Sequence, residues 1–311
     1  MRVLLAGGGG FIGSHLSEAL VARGDEVVVV DDFSTGRREN LVRVTVQMVE
    51  HDVSEPLPDL GRFDAVLNLA SPASPDDFRN RPMAILSAGS RGTWNLLDLA
   101  AAEGARFLQA STSEVYGDPL EHPQSEDYLG NVDPIGPRSC YDEAKRFGEA
   151  LVVAHSREHG TDVGIARIFN TYGERMAPGD GRVVNTFIAQ ALAGRSLTVF
   201  GDGAQTRSFC HVSDQVAGLQ AVLDHDGRGP FNIGNPDEHT IRELAERIIA
   251  LTGSASEIVN VELPAERIGD PARRRPDITR AREVLGWEPA VDLEEGLLGM
   301  IEHFRTSEHL G

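Results

Sequence analysis

The sequence predicts an α/β fold built on a doubly wound parallel sheet, with a smaller C-terminal domain. Three observations predict it: short apolar runs alternate with helical patterns through the first half, a glycine-rich turn follows the first run, and the cadence loosens beyond Asn170. Strand and helix patterns in alternation imply βαβ units with right-handed crossovers, and such units build parallel sheets covered on both faces.

The elements follow in order. Val3–Ala6 is a short apolar run ended by Gly7–Gly10, and Phe11–Arg23 carries apolar residues at helical spacing. Gly24-Asp25 makes a turn before Val27–Val30, a continuous β-branched run of the kind buried on both faces. Ala65–Leu69, Arg106–Ala110 and Val163–Ile168 repeat the strand pattern, while Arg91–Glu103 and Tyr141–His159 repeat the helical one. Beyond Asn170, Asp180–Arg195 and Ile241–Thr252 read as helices among loops rich in Gly, Pro and Arg. The chain is expected to return to the sheet once, near Phe209–Asn232. The expected division puts residues 1–168, with a return segment at about 209–234, in a Rossmann-type domain, and 169–208 with 235–311 in a substrate-binding domain.

Composition narrows the partners. With 41% hydrophobic and 25% charged residues the chain resembles an ordinary globular protein with a proper core. A formal net charge of −19 repels nucleic acid and anionic membranes, so neither is an expected partner, and a phosphorylated ligand must be held by local Arg, Lys and backbone N–H groups. Two cysteines, Cys140 and Cys210, are too few for a disulfide framework. No run approaches a membrane span, so a cytoplasmic protein is expected. The histidines lack metal-ligand spacing, Cys140 reads as packing, and no metal is expected.

Two motifs carry chemistry. In Gly7-Gly8-Gly9-Gly10-Phe11-Ile12-Gly13, between the first strand and first helix, Gly7, Gly10 and Gly13 give a G-x-x-G-x-x-G spacing. Glycines there let the backbone turn tightly and approach a pyrophosphate at the helix N-terminus. The next strand ends in Asp31-Asp32, where a carboxylate accepts from a ribose 2′-OH and repels a 2′-phosphate, so the expected cofactor is NAD rather than NADP. The second motif is Tyr141-Asp-Glu-Ala-Lys145. Positions i and i+4 share a helix face, so phenol and ammonium point into one site. A free tyrosine has a pKa of about 10, and a nearby ammonium is expected to lower it towards a useful base. Ser111-Thr112-Ser113-Glu114, after the strand ending near Ala110, supplies a hydroxyl to share the substrate proton.

These motifs, with longer stretches, resemble the extended short-chain dehydrogenases, and specifically the UDP-glucuronate decarboxylase (UDP-xylose synthase) family. The resemblance is carried by Leu69-Ala-Ser-Pro-Ala-Ser-Pro75, Ser111-Thr-Ser-Glu-Val-Tyr-Gly-Asp118, Asn131-Val-Asp-Pro-Ile-Gly-Pro-Arg-Ser-Cys-Tyr-Asp-Glu143 and Ala166-Arg-Ile-Phe-Asn-Thr-Tyr-Gly173. Asp180-Gly-Arg-Val-Val184, Leu197-Thr-Val-Phe-Gly201, Gln205-Thr-Arg-Ser-Phe209 and Arg275-Pro-Asp-Ile278 continue it. It implies Tyr141 as the base at the C4 hydroxyl, Lys145 on the nicotinamide ribose, Thr112 on the reacting oxygen, and Glu114 orienting a proton donor or the sugar ring near C5. It implies cofactor contacts from Gly7, Gly10, Phe11, Ile12, Gly13, Asp31, Asp32, Phe33, Thr35 and Gly36. Asp52 and Val53 belong on the adenine side, and Leu69, Ala70 and Ser71 along the groove. Asn170, Arg182, Val184, Phe200, Arg207 and Arg274 are the implied contacts to a UDP-sugar. Family members pair helices across a two-fold axis, so a homodimer is expected, with Trp94, Leu97, Leu151 and Val152 as apolar residues beyond one stripe.

The chain departs from the family pattern in three places. Ser87-Ala88-Gly89 stands where these decarboxylases usually read Lys-Thr-Asn, Glu174 replaces a usual proline, and His211 a usual tyrosine. The leading expectation is decarboxylation of UDP-glucuronate, to UDP-xylose or the 4-keto pentose. A nucleotide-sugar 4-epimerase or a 4,6-dehydratase stays open beside it, as does an NAD-binding sensor without catalysis.

Overall fold

The computed structural model describes residues 1–176, 181–263, 271 and 273–306 of the 311. The chain runs β1 (Arg2–Ala6), α1 (Phe11–Ala22), β2 (Glu26–Asp31), β3 (Gln47–Glu50) and β4 (Ala65–Asn68), then α2 (Pro75–Asn80), α3 (Pro82–Ser87) and α4 (Thr93–Glu103). After β5 (Arg106–Thr112) and a 3₁₀ turn at Ser113–Tyr116 come α5 (Ser139–His159), β6 (Val163–Ile168), β7 (Thr171–Tyr172), α6 (Val183–Leu192) and β8 (Leu197–Phe200). The remainder is β9 (Thr206–Ser208), β10 (Cys210–His211), α7 (Val212–Asp224), β11 (Phe231–Ile233), β12 (Glu238–Thr240), α8 (Ile241–Thr252), β13 (Ile258–Val261), β14 (Arg273–Arg274) and α9 (Leu293–Thr306).

Seven strands make one sheet in the order β11-β6-β5-β4-β1-β2-β3, and every pairing in it is parallel. The order reverses at β1, which makes this a doubly wound sheet. Successive side chains of a strand face opposite sides. Val3 and Leu5 accordingly join Val27 and Val29 in a core with residues of α1 and α7, while Leu4 and Ala6 join Val28 and Val30 in a core with α4 and α5. A third apolar cluster joins α6, α8 and α9, with Phe187, Ile188, Leu244, Ile248, Leu297 and Met300 at its centre. Among the described residues no helix is long and apolar enough to cross a membrane.

The expected strands appear within a residue or two of their ends, and β6 and α8 match residue for residue. The helix expected at Asp180–Arg195 spans Val183–Leu192, and Asp180 lies outside the described residues. The return to the sheet is β11, and the stretch before it holds α7. Helix α4 begins at Thr93, because Ala88–Gly92 forms a wider π-helical turn. Strand β3 escaped the sequence reading because it is an edge strand with three of its four residues exposed, so no apolar run marks it.

Candidate active site

Neighbouring register places the ends of β2, β1, β4 and β5 side by side: Ala6 lies beside both Val30 and Asn68, and Asn68 beside Gln109. The segments that leave these ends line the carboxyl edge of the sheet at its switch point, where open α/β sheets bind ligands.

The glycine turn is set by contacts that admit no side chain. Gly7 has φ +80°, and a Cβ on Gly13 would stand 2.1 Å from the Gly7 carbonyl oxygen. Gly10 precedes α1 without a side-chain cap, the first turn has no acidic residue, and the first helical bond runs from Ser14 N to Gly10 O at 3.0 Å. The N–H groups of Phe11, Ile12 and Gly13 are thereby left outside the helix ladder, an end suited to an anion. Asp31 is 7% exposed and accepts from Gly9 N and Phe33 N, each at 2.8 Å. Burial pushes its pKa up against these two bonds.

A cleft follows this edge. Gly7, Gly10, Asp31, Asp32, Thr35 and Gly36 line one end, Asp52 and Val53 one wall, and Leu69, Ala70 and Ser71 the floor leading towards β5. Phe11, Ile12, Gly13 and Phe33 do not line it. The side chains of Phe11 and Ile12 pack against the core under α1, so these residues offer the cleft backbone N–H groups only, and Gly13 serves the close approach to Gly7. The Phe33 ring lies 4.1 Å beneath the Arg38 guanidinium. The sequence reading missed Val30, Ser34, His51, Pro72, Ala84 and Ala88 on the cleft wall. Ser34, His51 and Pro72 directly adjoin expected residues, whereas Ala84 and Ala88 carry no chemical signal.

Beyond the floor, Thr112, Glu114, Tyr141, Lys145, Arg182 and Arg274 come together. Tyr141 is 8% exposed and stacks on Phe78 at 4.8 Å between centroids. Lys145 Nζ donates to the Ala110 carbonyl at 2.9 Å and lies 5.7 Å from the Tyr141 ring centroid. The phenol stands above, not below, its ordinary value. Burial first, then the Glu114 carboxylate, pushes Tyr141 up to about 12, with the Thr112 hydroxyl and the Arg182 guanidinium working the other way. Burial brings Lys145 itself down to about 8.

Glu114 and Arg274 pair with each other. Arg274, expected on phosphates or the sugar acid, is 5% exposed and grips Glu114 with both nitrogens, Nη1 to Oε1 at 2.6 Å and Nη2 to Oε2 at 2.7 Å. Arg138 adds a contact to Glu114 Oε2 at 2.5 Å. Burial would raise the Glu114 pKa, but the Arg274 and Arg138 guanidiniums outweigh it and hold the carboxyl at about 2. Arg207 lies next to Arg274 on the adjacent strand, its Nη1 donating to the Thr206 carbonyl at 2.8 Å. Arg182 Nη2 donates to the Ala73 carbonyl at 3.2 Å. Asn170 and Phe200 are half-buried, each with its carbonyl accepting a bond, from Cys210 N at 2.9 Å and Gln205 Nε2 at 3.0 Å. Val184, expected at the substrate, is 3% exposed inside the α6–α8–α9 core, so its side chain packs there instead.

The GDP-mannose 4,6 dehydratase family profile matches residues 4–300. UDP-glucuronic acid decarboxylase 5 of Arabidopsis thaliana is 52% identical over 98% of this chain and 89% of its own length. The chain belongs to the UDP-glucuronic acid decarboxylase family. Among solved structures, UDP-glucose 4-epimerase from Thermotoga maritima, with UDP-glucose, superposes with a TM-score of 0.90 at 32% identity, covering 98% of this chain and 99% of that one. DesIV, a dTDP-glucose 4,6-dehydratase from Streptomyces venezuelae with NAD and TYD bound, gives 0.89 at 29% identity over the whole of both chains.

The departures from the family pattern have local reasons. A Cβ on Gly89 would meet the Ala144 Cβ at 2.7 Å, so a glycine lets the π-helical turn press against α5 one residue from Lys145. Glu174 and His211 meet each other, Oε2 to Nε2 at 3.7 Å, and His211 Nδ1 also contacts Ser213 Oγ at 2.8 Å at the start of α7. Among the described residues, no three His, Cys, Asp or Glu side chains gather as a metal site.

Proposed function

We propose that this chain is an NAD-dependent UDP-glucuronate decarboxylase, which oxidises the sugar at C4, releases C6 as CO₂ and re-reduces C4 to give UDP-xylose. The meeting of Tyr141, Thr112 and Lys145 with the Glu114–Arg274 pair carries this reading, and the similarity to decarboxylases over 98% of this chain narrows the substrate. The cleft supports NAD through the tight glycine turn beside it, where a Cβ on Gly7 or Gly13 would strike backbone atoms, and through the Asp31 carboxylate on its lining. Asp31 would face a ribose hydroxyl and repel a 2′-phosphate. When bound, NAD supplies the hydride acceptor and a positive charge beside the phenol, and turns over without net redox.

Tyr141 takes the C4 hydroxyl proton. With a pKa of about 12 the phenol holds its own proton at neutral pH, so added positive charge is what makes it a base. Once C4 is a ketone, the C6 carboxylate belongs to a β-keto acid. The C5–C6 bond breaks, its electron pair moves onto the C4 oxygen, and the Thr112 hydroxyl and Tyr141 phenol hydrogen-bond the charge that develops there. Glu114, held ionised, cannot donate a proton, and acts by accepting from a water or a sugar hydroxyl. C5 takes its proton from that water, which solvent replaces, and the C4 oxygen regains its proton from Tyr141 as the hydride returns to C4.

Incubating the purified protein with NAD and UDP-glucuronate, with NMR of the product, tests the reading. UDP-xylose or the 4-keto pentose with CO₂ is expected. UDP-galacturonate would make the chain a 4-epimerase, a 4-keto-6-deoxy product from UDP-glucose a dehydratase, and no turnover with intact NAD binding a sensor.

A homodimer through α4 and α5 belongs to the same proposal. Of the apolar residues expected to lie outside the core stripe, Leu97, Leu151 and Val152 are buried within the subunit, whereas Trp94 is 51% exposed. Phe147 on α5, at 45%, joins it as an apolar anchor. Sedimentation is expected to show a dimer that Trp94→Asp dissociates, and a wild-type monomer at micromolar concentration would reject it. The free cysteines Cys140 and Cys210 suit a reduced, cytoplasmic setting.

A further inference from the structure

The end of β5 is tied to α5 by three successive rungs. Lys145 Nζ donates to the Ala110 carbonyl at 2.9 Å, Ser111 Oγ donates to Glu149 Oε1 at 2.6 Å, and the Thr112 side chain hydrogen-bonds Tyr141. Tyr141, Lys145 and Glu149 are spaced i, i+4 and i+8, so one helix face carries all three partners. The outer rungs hold the reacting groups. The middle rung has no part in the chemistry derived above.

That rung is the most heavily anchored of the three. Arg167 reaches the Glu149 carboxylate with Nε at 2.9 Å from Oε1 and Nη2 at 2.7 Å from Oε2, and the two side chains are 12% and 14% exposed. Arg167 sits on β6 in register with Ser111 on β5, so a single carboxylate joins two strands to the helix. Its Nη1 continues to the Tyr116 hydroxyl at 2.9 Å and the Glu126 carbonyl at 3.1 Å, and Tyr116 donates to Asn232 Oδ1 on β11 at 2.7 Å. A planar fork on a carboxylate fixes both distance and orientation, which apolar packing alone does not. A buried ion pair is a poor device for stability, since hydrophobic residues of equal volume do as well, and a better one for register.

We propose that Ser111, Glu149 and Arg167 are positioning residues that set how Tyr141 and Lys145 approach Thr112, without touching the substrate. The inference rests on the reading of Tyr141 as the base at C4. Helix α5 is 21 residues long with both reacting groups in its first two turns, and a slide or roll on the sheet displaces them together. A displacement near 1 Å at a reacting group costs about 100-fold in rate.

The test uses Ser111→Ala, which removes one hydroxyl, and Glu149→Gln, which keeps the shape but weakens the fork. In Ser111→Ala, kcat is expected to fall by about 10- to 100-fold, with KM for UDP-glucuronate and NAD affinity within about twofold of wild type, beside a modest fall in the unfolding midpoint from the lost hydrogen bond to Glu149. A second readout is independent of the substrate. The chain has four tyrosines, so ¹³C at the tyrosine ζ carbon gives few NMR signals, and Tyr141→Phe identifies the one that matters. Its titration is expected to move down in Ser111→Ala, as a loosened helix admits water to the phenol. A fully active Ser111→Ala with an unmoved Tyr141 titration, beside a Glu149→Gln that is merely less stable, would assign the network to folding and overturn the proposal. Failure of wild type to convert UDP-glucuronate rejects the reaction instead, and the tyrosine titration still decides the positioning role.

Discussion

Replacing Glu114 by Gln probes the most concentrated electrostatics in the molecule. The carboxylate receives two bonds from Arg274 and a contact from Arg138, with side-chain exposures of 12%, 6% and 16% for the three residues. Gln keeps the volume and one acceptor but removes the charge, which leaves Arg274 buried without its counter-ion. Breaking a buried pair from one side costs about 3–5 kcal/mol, and the retained acceptor puts Glu114→Gln near the lower end. Urea unfolding of wild type and variant at neutral pH measures the difference. The pH dependence supplies a sign. Glu114 has its folded pKa depressed to about 2 from an ordinary 4.5, so its contribution is complete above the upper value and lost as pH falls towards the lower. The gap between the two proteins should therefore narrow on acidification. Adding Arg274→Gln to the variant should restore part of the loss, since the stranded charge goes with it. A destabilisation below about 1 kcal/mol, or one that does not narrow with acid, would refute the assignment of this pair.

Tyr141→Phe should keep the ring stacking on Phe78 and the binding of NAD and UDP, while turnover and CO₂ release fall together by about 10²–10⁴; near-normal CO₂ release would overturn the mechanism. Asp31→Ala removes the acceptor for Gly9 N and Phe33 N as well as for a ribose hydroxyl, so NAD affinity should drop by more than the 1.5–3 kcal/mol of about one charge-assisted bond, as titration calorimetry would measure. Because burial lowers Lys145 to about 8, its ammonium is lost as pH rises through that value, and kcat/KM should decline there; a profile flat across this range argues against a charged Lys145. Gly89→Leu would drive a side chain into Ala144, and a loss of about 1–3 kcal/mol by thermal unfolding is expected, with an unchanged midpoint removing the close approach as an explanation for the glycine.

Much of this was legible in the sequence because it depends on local pattern. β-branched runs and glycine spacing mark the parallel strands and the turn, and Tyr141 and Lys145 share a face by arithmetic alone. The partner of Glu114 was not legible, since Arg274 stands 160 residues away and nothing in an Arg-Arg-Arg run says which member turns inward. The place of the Val184 side chain was not legible for a related reason: a motif preserves a position without saying whether its side chain faces ligand or core. Helix α9 shows a different lapse, because Leu293, Leu297, Met300, Ile301 and Phe304 form a helical stripe that the sequence displays openly. Residue spacing also says nothing of desolvation, and burial is what moves Tyr141 and Lys145 away from their solution behaviour.

The contact between Glu114 and Arg274 also has a consequence for biosynthesis. A ribosome delivers the glycine turn, Thr112, Tyr141, Lys145 and every strand of the main sheet before residue 274 emerges. Until then Glu114 has only Arg138 to oppose its desolvation, and the carboxyl lacks the two-pronged grip that fixes it. A nascent chain can thus assemble its nucleotide cleft early and acquire a finished acid–base site only near the end of translation, when a short two-residue strand slides in beside Arg207.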